Sequence, residues 1–204
     1  ALINNGTWKL VDPPYGTRSI ECKWVYKNKY KSNESLEKNK ARLIAKGFAQ
    51  REGIDYKETF SPVVRFDTIR FLLALSSEKK LKIKQFDVKT AFLLARLENE
   101  IYMDQTEGFE DQTDRKCRLL QSLYGLKQAP RAFKGKFDEE MLKLGFIKST
   151  ADNCLFIKNE NGKLTLVCHY VDDGLVCSPK EKDIENFFAT LDGIFELSIK
   201  PLTF

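Results

Sequence analysis

The segment Tyr170-Val171-Asp172-Asp173 constrains the fold of this chain more than any other. A mostly apolar stretch, Leu164 to Val167, precedes it, and an apolar run, Leu175-Val176-Cys177, follows. Upstream, Leu155 to Lys158 is set off by Asn159-Glu160-Asn161-Gly162, a turn cluster of the kind that closes hairpins. The Asp pair is therefore expected at a tight turn between two antiparallel strands. Adjacent carboxylates repel unless cations neutralise them. A hairpin tip rich in carboxylate oxygen suits hard cations such as Mg²⁺. A bare Asp-Asp pair is more often a solvated turn, but this one has a companion at Asp87. In Leu81-Lys82-Ile83-Lys84-Gln85-Phe86, Leu81, Ile83 and Gln85 alternate with Lys82, Lys84 and Phe86. That period of two predicts a strand with Asp87 at its C-terminal edge. Three Asp side chains from two strand ends could grip two divalent ions, which activate the attacking and leaving oxygens in phosphoryl transfer. An aromatic ring, Phe92, follows five residues after Asp87.

A chain of 204 residues with 42% hydrophobic content can bury one large domain or two small lobes. No apolar run is long enough to span a bilayer and no signal peptide opens the sequence, so no membrane partner and an intracellular location are expected. Cys22, Cys117, Cys154, Cys168 and Cys177 show no paired metal spacing and are read as reduced thiols, mostly small core residues. Cys168-His169 is read as strand filler.

Charge is uneven. Residues 1–80 hold 16 Lys+Arg against 9 Asp+Glu, and residues 81–204 hold 18 against 20. Lys23, Lys27, Lys29, Lys31, Lys38, Lys40, Arg42 and Lys46 are interleaved with Trp24, Tyr26 and Tyr30, a mixture suited to phosphate contact and base stacking. A solvated, aggregation-resistant hairpin would carry the same charges. The Asp cluster tips the reading toward nucleic acid and nucleotide.

Residues 17–30 and 39–49 read as two strands joined by Ser32-Asn33-Glu34-Ser35. Asp67 is expected to cap a helix reaching about Lys79, with Ile69, Leu72, Leu73 and Ser76 on one face. Residues 104–116 are loop-like. Arg131 to Leu144 reads as a helix with Phe133, Phe137, Met141 and Leu144 inward and Gly145 as its stop. Ser178-Pro179-Lys180-Glu181 has the form of a capping box before a helix carrying Ile184, Phe187, Phe188 and Leu191. This order predicts an α+β fold, with helices on one face of an antiparallel sheet.

The motifs resemble one family throughout. Tyr170-Val171-Asp172-Asp173, with Asp87 and Phe92, resembles a reverse transcriptase, and the wording is closest to the Ty1/copia-type retrotransposon polymerases. The matching stretches are Asn5-Gly6-Thr7-Trp8, Cys22-Lys23-Trp24-Val25-Tyr26 and Lys40-Ala41-Arg42-Leu43-Ile44-Ala45-Lys46-Gly47-Phe48. Phe60-Ser61-Pro62-Val63, Asp87-Val88-Lys89-Thr90-Ala91-Phe92-Leu93 and Leu123-Tyr124-Gly125-Leu126-Lys127-Gln128-Ala129-Pro130-Arg131 follow in order.

The resemblance implies a right-hand polymerase architecture without a thumb. Its fingers would comprise about 1–65 and 94–128, and its palm about 66–93 and 129–204. It implies RNA-directed DNA synthesis, in which two Mg²⁺ ions (or Mn²⁺) assist nucleotidyl transfer to a primer 3′-OH. Asp87, Asp172 and Asp173 would be catalytic metal ligands, with the Val88 carbonyl as a further ligand. Lys40, Arg42, Phe92, Tyr124, Gly125 and Gln128 would meet the nucleotide, Phe92 by excluding a 2′-OH. Lys46, Pro130 and Tyr170 would meet nucleic acid. The implied partners are a primed RNA or DNA template, dNTP, and the thumb and RNase H regions of a Pol polyprotein. The sequence departs from the family at Leu94-Ala95, where Asn-Gly is usual, at Phe133, where Trp is commoner, and from Glu196 to Phe204. The first would alter a turn beside the site and the second is mild; the break in resemblance after Phe195, with no thumb or RNase H region following, is read as a piece of a longer polyprotein or a decayed copy. The alternative function is a catalytically inactive, nucleic-acid-binding remnant of a decayed retroelement.

Overall fold

The computed structural model describes residues 1–31 and 33–200. Pro201 to Phe204, the end of the divergent C-terminal stretch, and Ser32 of the polar loop lie outside the described residues. In chain order the elements are β1 (Trp8–Val11), β2 (Ser19–Ile20), β3 (Cys22–Tyr30), β4 (Leu36–Ala45), α1 (Phe66–Glu78), β5 (Lys82–Val88), β6 (Arg96–Met103) and β7 (Lys116–Gln121). Then come α2 (Ala129–Lys143), β8 (Ile147–Lys148), β9 (Leu155–Glu160), β10 (Lys163–Tyr170), β11 (Asp173–Ser178), α3 (Glu181–Asp192) and β12 (Leu197–Lys200). The chain forms two compact units, one of Ala1–Phe60 with Phe92–Phe133, the other of Ser61–Ala91 with Lys134–Phe204. Among the described residues no helix is long and apolar enough to cross a membrane.

The first unit holds a four-stranded sheet in the order β1-β7-β6-β2 and the separate β3–β4 hairpin. The strand expected over 17–30 divides at Glu21, because Ile20 pairs with Met103 in the sheet while Cys22 pairs with Ala45 in the hairpin. The strand expected over 39–49 begins earlier, at Leu36, and stops at Ala45. Past that point Gly47 backs against Gly125 so closely that a Cβ on Gly47 would lie 2.0 Å from the Gly125 carbonyl oxygen. Gly47–Ala49 accordingly coil into a 3-10 turn. Residues 91–94 form a second 3-10 turn that ends on Leu94, the first of the unusual Leu94-Ala95 pair, and Ala95 is buried behind it.

The second unit is built on a six-stranded antiparallel sheet in the order β12-β5-β11-β10-β9-β8. The β9–β10 turn uses Asn161 (φ 51°) and Gly162 (φ 78°), the two positive values that a tight type I′ hairpin needs. Helices cover both faces of this sheet, not one. On one face Ile69, Leu72 and Leu75 of α1 pack on Ile83, Leu166, Cys168, Leu175 and Cys177. On the other, Phe86 meets Phe137 of α2 and Phe187 and Phe188 of α3. The cause was present in the strands. Leu166-Val167-Cys168 and Leu175-Val176-Cys177 are continuous apolar runs, and a run without alternation buries both faces. Burial of each such side chain contributes roughly 1.5–3 kcal/mol.

The inward faces of α2 and α3 largely follow the periodicity: Phe133, Phe137 and Met141, and Ile184, Phe187, Phe188 and Leu191, are all buried, whereas Leu144 lies just past α2 and is half-buried. Gly145 follows α2 with a φ of 81°. Both caps differ from expectation. Helix α1 begins one residue before Asp67, which therefore sits inside the first turn. Its entry is tied instead by Asp152, whose carboxylate accepts from the Arg65 backbone N–H (3.0 Å) and the Thr68 hydroxyl (2.6 Å). Ser178 ends β11, where its hydroxyl pairs with that of Thr165 (3.2 Å), so α3 starts at Glu181 without a side-chain cap. In each case a partner distant in sequence outcompetes the local one.

All five cysteines are free thiols, buried except for half-buried Cys22. His169 is core filler as expected, its ring lying 4.6 Å from that of Phe137.

Candidate functional site

In the second unit, the sheet register assembles the carboxylates. Val171 and Asp172 form the two-residue tip of the β10–β11 hairpin, with Tyr170 paired to Asp173. Asp173 in turn pairs with Asp87 across β5, and Asp87 pairs with Ser198 of β12. Directly paired residues share a sheet face with Cβ atoms roughly 4.5–5.5 Å apart. Tyr170, Asp173, Asp87 and Ser198 thus form one row across four strands. Asp172 is tied to the end of that row: its backbone carbonyl accepts the Val88 N–H at 2.7 Å. Val171 holds a φ of 57°, rare for a β-branched residue. Such strain persists only where the surroundings impose it, and it concentrates at functional sites.

The three Asp residues are half-buried and Tyr170 is 50% exposed. The Lys89 ammonium lies 2.5 Å from Glu196. Its pKa is raised, first by that hydrogen bond, with Asp87 contributing at longer range. Among the described residues no three His, Cys, Asp or Glu side chains are gathered as a ready ligand set. The donors nevertheless fit Mg²⁺ by chemistry, since they are all hard oxygens and two sit side by side on paired strands.

In the first unit, the β3–β4 hairpin separates what the sequence interleaves. Its pairing places Lys23, Lys27, Lys29, Lys38, Lys40 and Arg42 on one face. Trp24 and Tyr26 share the other with Leu43 and Ala45. Period-two geometry requires this division. On that side Trp24 packs on the core, donating to the Glu107 carbonyl (3.0 Å) and lying near Phe109, while Tyr26 is exposed. Cations oppose cations across the strands, Lys27 to Lys40 and Lys29 to Lys38.

Several expected nucleotide residues of this unit meet. The Arg42 guanidinium lies over the Tyr124 ring at 5.7 Å, and Tyr124 contacts Phe92 edge-on at 4.8 Å. Gly125, with a φ of 91°, passes so near Ala45 that a Cβ would stand 2.1 Å from its carbonyl oxygen. Others are engaged elsewhere. Lys46 is ion-paired to Glu21. The Gln128 side chain accepts from Gln50 (3.0 Å) and donates to the Asp55 carbonyl (3.0 Å). Pro130 is the second residue of α2, where proline suits a helix start.

Two further residues belong here without a motif to mark them. Gln50 is buried and also accepts from the Lys127 backbone N–H (2.8 Å), which makes it the organiser of the 126–128 loop. A lone Gln carries no signal for that role. Ser198 belongs to a stretch read only as divergent, and the only cue was the alternation of Leu197-Ser198-Ile199-Lys200.

Comparison with known proteins agrees with these features. The family model described as "Reverse transcriptase (RNA-dependent DNA polymerase)" matches residues 5–202. The chain belongs to the reverse transcriptase family, in its Ty1/copia-type retrotransposon branch. It is 44% identical over 201 residues to the "Retrovirus-related Pol polyprotein from transposon TNT 1-94" of Nicotiana tabacum, a match over 97% of this chain and 15% of that protein. The Pol polyproteins of transposons RE2 and RE1 of Arabidopsis thaliana are 43% and 41% identical over 86% and 95% of the chain. The matched part is 12% and 13% of those proteins, so this chain spans a small part of its relatives.

Proposed function

We propose that this chain is an RNA-directed DNA polymerase domain that adds deoxynucleotides to a primer 3′-OH on an RNA or DNA template. The observation that carries the reading is the Asp87–Asp173 cross-strand pair, with Asp172 tied in by its hydrogen bond from Val88. The second unit, with its carboxylate row, is read as a palm; the first, with its cationic hairpin, as fingers. Asp87 and Asp172 would hold both metal ions, Asp173 would be an outer ligand, and the Val88 carbonyl a further one. Mg²⁺ bound there would lower the pKa of the 3′-OH and neutralise the triphosphate. Lys40 and Arg42 share the cationic face and would hold the triphosphate by charge-assisted hydrogen bonds. Phe92, backed by Tyr124, would close the space beside the sugar against a 2′-OH. Gly125 leaves the backbone bare where nucleotide and template approach. Gln128 would act through the loop it secures. Pro130, Lys46 and Tyr170 would border the template and primer. The remainder of a Pol polyprotein, thumb and RNase H included, would complete the grip on primer-template.

Primer extension with Mg²⁺ and dNTPs tests the reading. The expected result is extension that Asp172→Asn abolishes while primer-template affinity stays within about threefold, because the lost charge acts in the transition state. Extension unchanged in Asp172→Asn would refute the assignment. Binding without extension, even in the parent polyprotein, would favour the inactive remnant.

A further inference from the structure

The carboxylate row rests on an unusual neighbour pair. One residue before Asp87 is Phe86, one residue after Asp173 is Gly174, and these two are themselves paired across β5 and β11. A Cβ added to Gly174 would lie 2.2 Å from Cζ of Phe86, 2.6 Å from Cε1 and 2.8 Å from Cε2. The ring therefore fills the space that a side chain at 174 would occupy. It has no room to withdraw. Phe86 is fully buried, and the rings of Phe137 (6.4 Å), Phe187 (6.2 Å) and Phe188 (5.9 Å) surround it. On the other side of Gly174, its β10 partner His169 is also buried and also lies against Phe137. Gly174 is thus the single gap in a row of rings, and Phe137 touches the residue on each side of it.

We propose that Phe86 and Gly174 are positioning residues, a size-matched pair that holds β5 and β11 at the separation and register which set Asp87 beside Asp173. The inference rests on the reading of those carboxylates as metal ligands. Its physical basis is where strain would go. The ring stack is close-packed and yields little. The hairpin tip is a two-residue turn with a strained Val171, attached to β5 at its end by the Val88 N–H to Asp172 bond. A methyl group at 174 would lift β11 from β5 at that soft end, one residue from Asp173. Shortening residue 86 would make room for it.

The test is Mn²⁺ binding to the full chain, followed by electron paramagnetic resonance, in the wild type, Gly174→Ala, Phe86→Leu, Gly174→Ala with Phe86→Leu, and Asp87→Asn with Asp173→Asn. Amide exchange at Val88 is followed in parallel. Gly174→Ala is expected to lower Mn²⁺ affinity about 10-fold or more, the loss typical when support for metal ligands is removed, and to speed exchange at Val88. Adding Phe86→Leu should restore affinity to within about threefold, a coupling between two sites that a merely weakened core would not produce. If Gly174→Ala does not fold, the double variant decides alone: folded with near wild-type affinity supports the pair, folded with weak binding overturns it. Gly174→Ala binding Mn²⁺ like the wild type also overturns it. Loss of binding in Asp87→Asn with Asp173→Asn, beside an unaffected Gly174→Ala, refutes only the positioning role. Wild-type binding that ignores both Asp substitutions, or is absent, refutes the ligand assignment and the positioning role with it.

Discussion

The two units treat charge in opposite ways. The first displays it: the β3–β4 hairpin stands as a two-stranded sheet whose face cations are exposed, apart from a half-buried Lys40, with lysines facing lysines. The second mounts it: the Asp row crosses four strands of a six-stranded sheet with helices packed on both faces. A displayed cation can follow a flexible phosphate chain and tolerates imprecise placement. Carboxylates that are to share metal ions, as proposed, need a fixed separation, which a packed sheet supplies. On the proposed function, the first unit would gather the anionic ligand and the second would orient the reacting atoms.

The sharpest way to break this contrast is to loosen the mounting. Asp152→Ala removes the acceptor of hydrogen bonds from Arg65, Thr68 and the Cys154 N–H. Burial alone would raise the Asp152 pKa, but these bonds hold it below the ordinary value. Their loss should cost about 4 kcal/mol by urea unfolding, since bonds to a charged group are each worth roughly 1.5–3 kcal/mol. A loss under about 1 kcal/mol would mean that α1 is held by its apolar face alone.

Acid should loosen the same unit by another route. Burial, aided by the Lys134 ammonium, holds the His169 imidazole at about 4 against 6.5. Between those values the unfolded chain binds the proton and the folded chain does not, so stability is complete above pH 6.5 and declines as pH falls toward 4. The decline is on the order of 3 kcal/mol. His169→Phe should remove that part of the slope, as read from melting temperature against pH in both proteins.

The first unit should respond more weakly. Gln50→Ala leaves the Lys127 N–H and the Gln128 amide without their partner and should cost about 2 kcal/mol. The dNTP KM should rise as the 124–128 loop loosens. The smallest effect is expected on the hairpin. Lys27→Glu replaces a like-charge cross-strand pair with Lys40 by an opposite one, and should stabilise by about 0.5 kcal/mol. If the face meets phosphate, the same change should reduce the log-log salt slope of primer-template affinity by roughly 1. A slope that does not move would mark Lys27 as merely solvated.

What the sequence made legible follows from this contrast. The Asp172 hairpin, the Asp87 strand and the buried faces of α2 and α3 were readable because local periodicity alone specifies them. Helices on both sheet faces follow from the continuous apolar runs at 166–168 and 175–177, whereas the order of elements alone predicts only one covered face. The caps expected at Asp67 and Ser178 do not form, because the winning partners, Asp152 and Thr165, are adjacent only in the folded chain. Interleaved lysines and aromatics looked like one mixed surface until strand pairing sent them to opposite faces. Gln50 had no local signature at all.

The most direct test compares the two modes in one assay, single-turnover primer extension with dNTP titration. Asp87→Asn should lower the maximal rate by about 10³-fold, the loss of several kcal/mol of transition-state stabilisation, with little change in apparent dNTP affinity. Arg42→Ala should do the reverse, weakening dNTP affinity by about 10-fold while the saturated rate stays within a few-fold. If Asp87→Asn acted mainly on affinity, or Arg42→Ala mainly on the saturated rate, the division between an orienting sheet and a gathering hairpin would be contradicted.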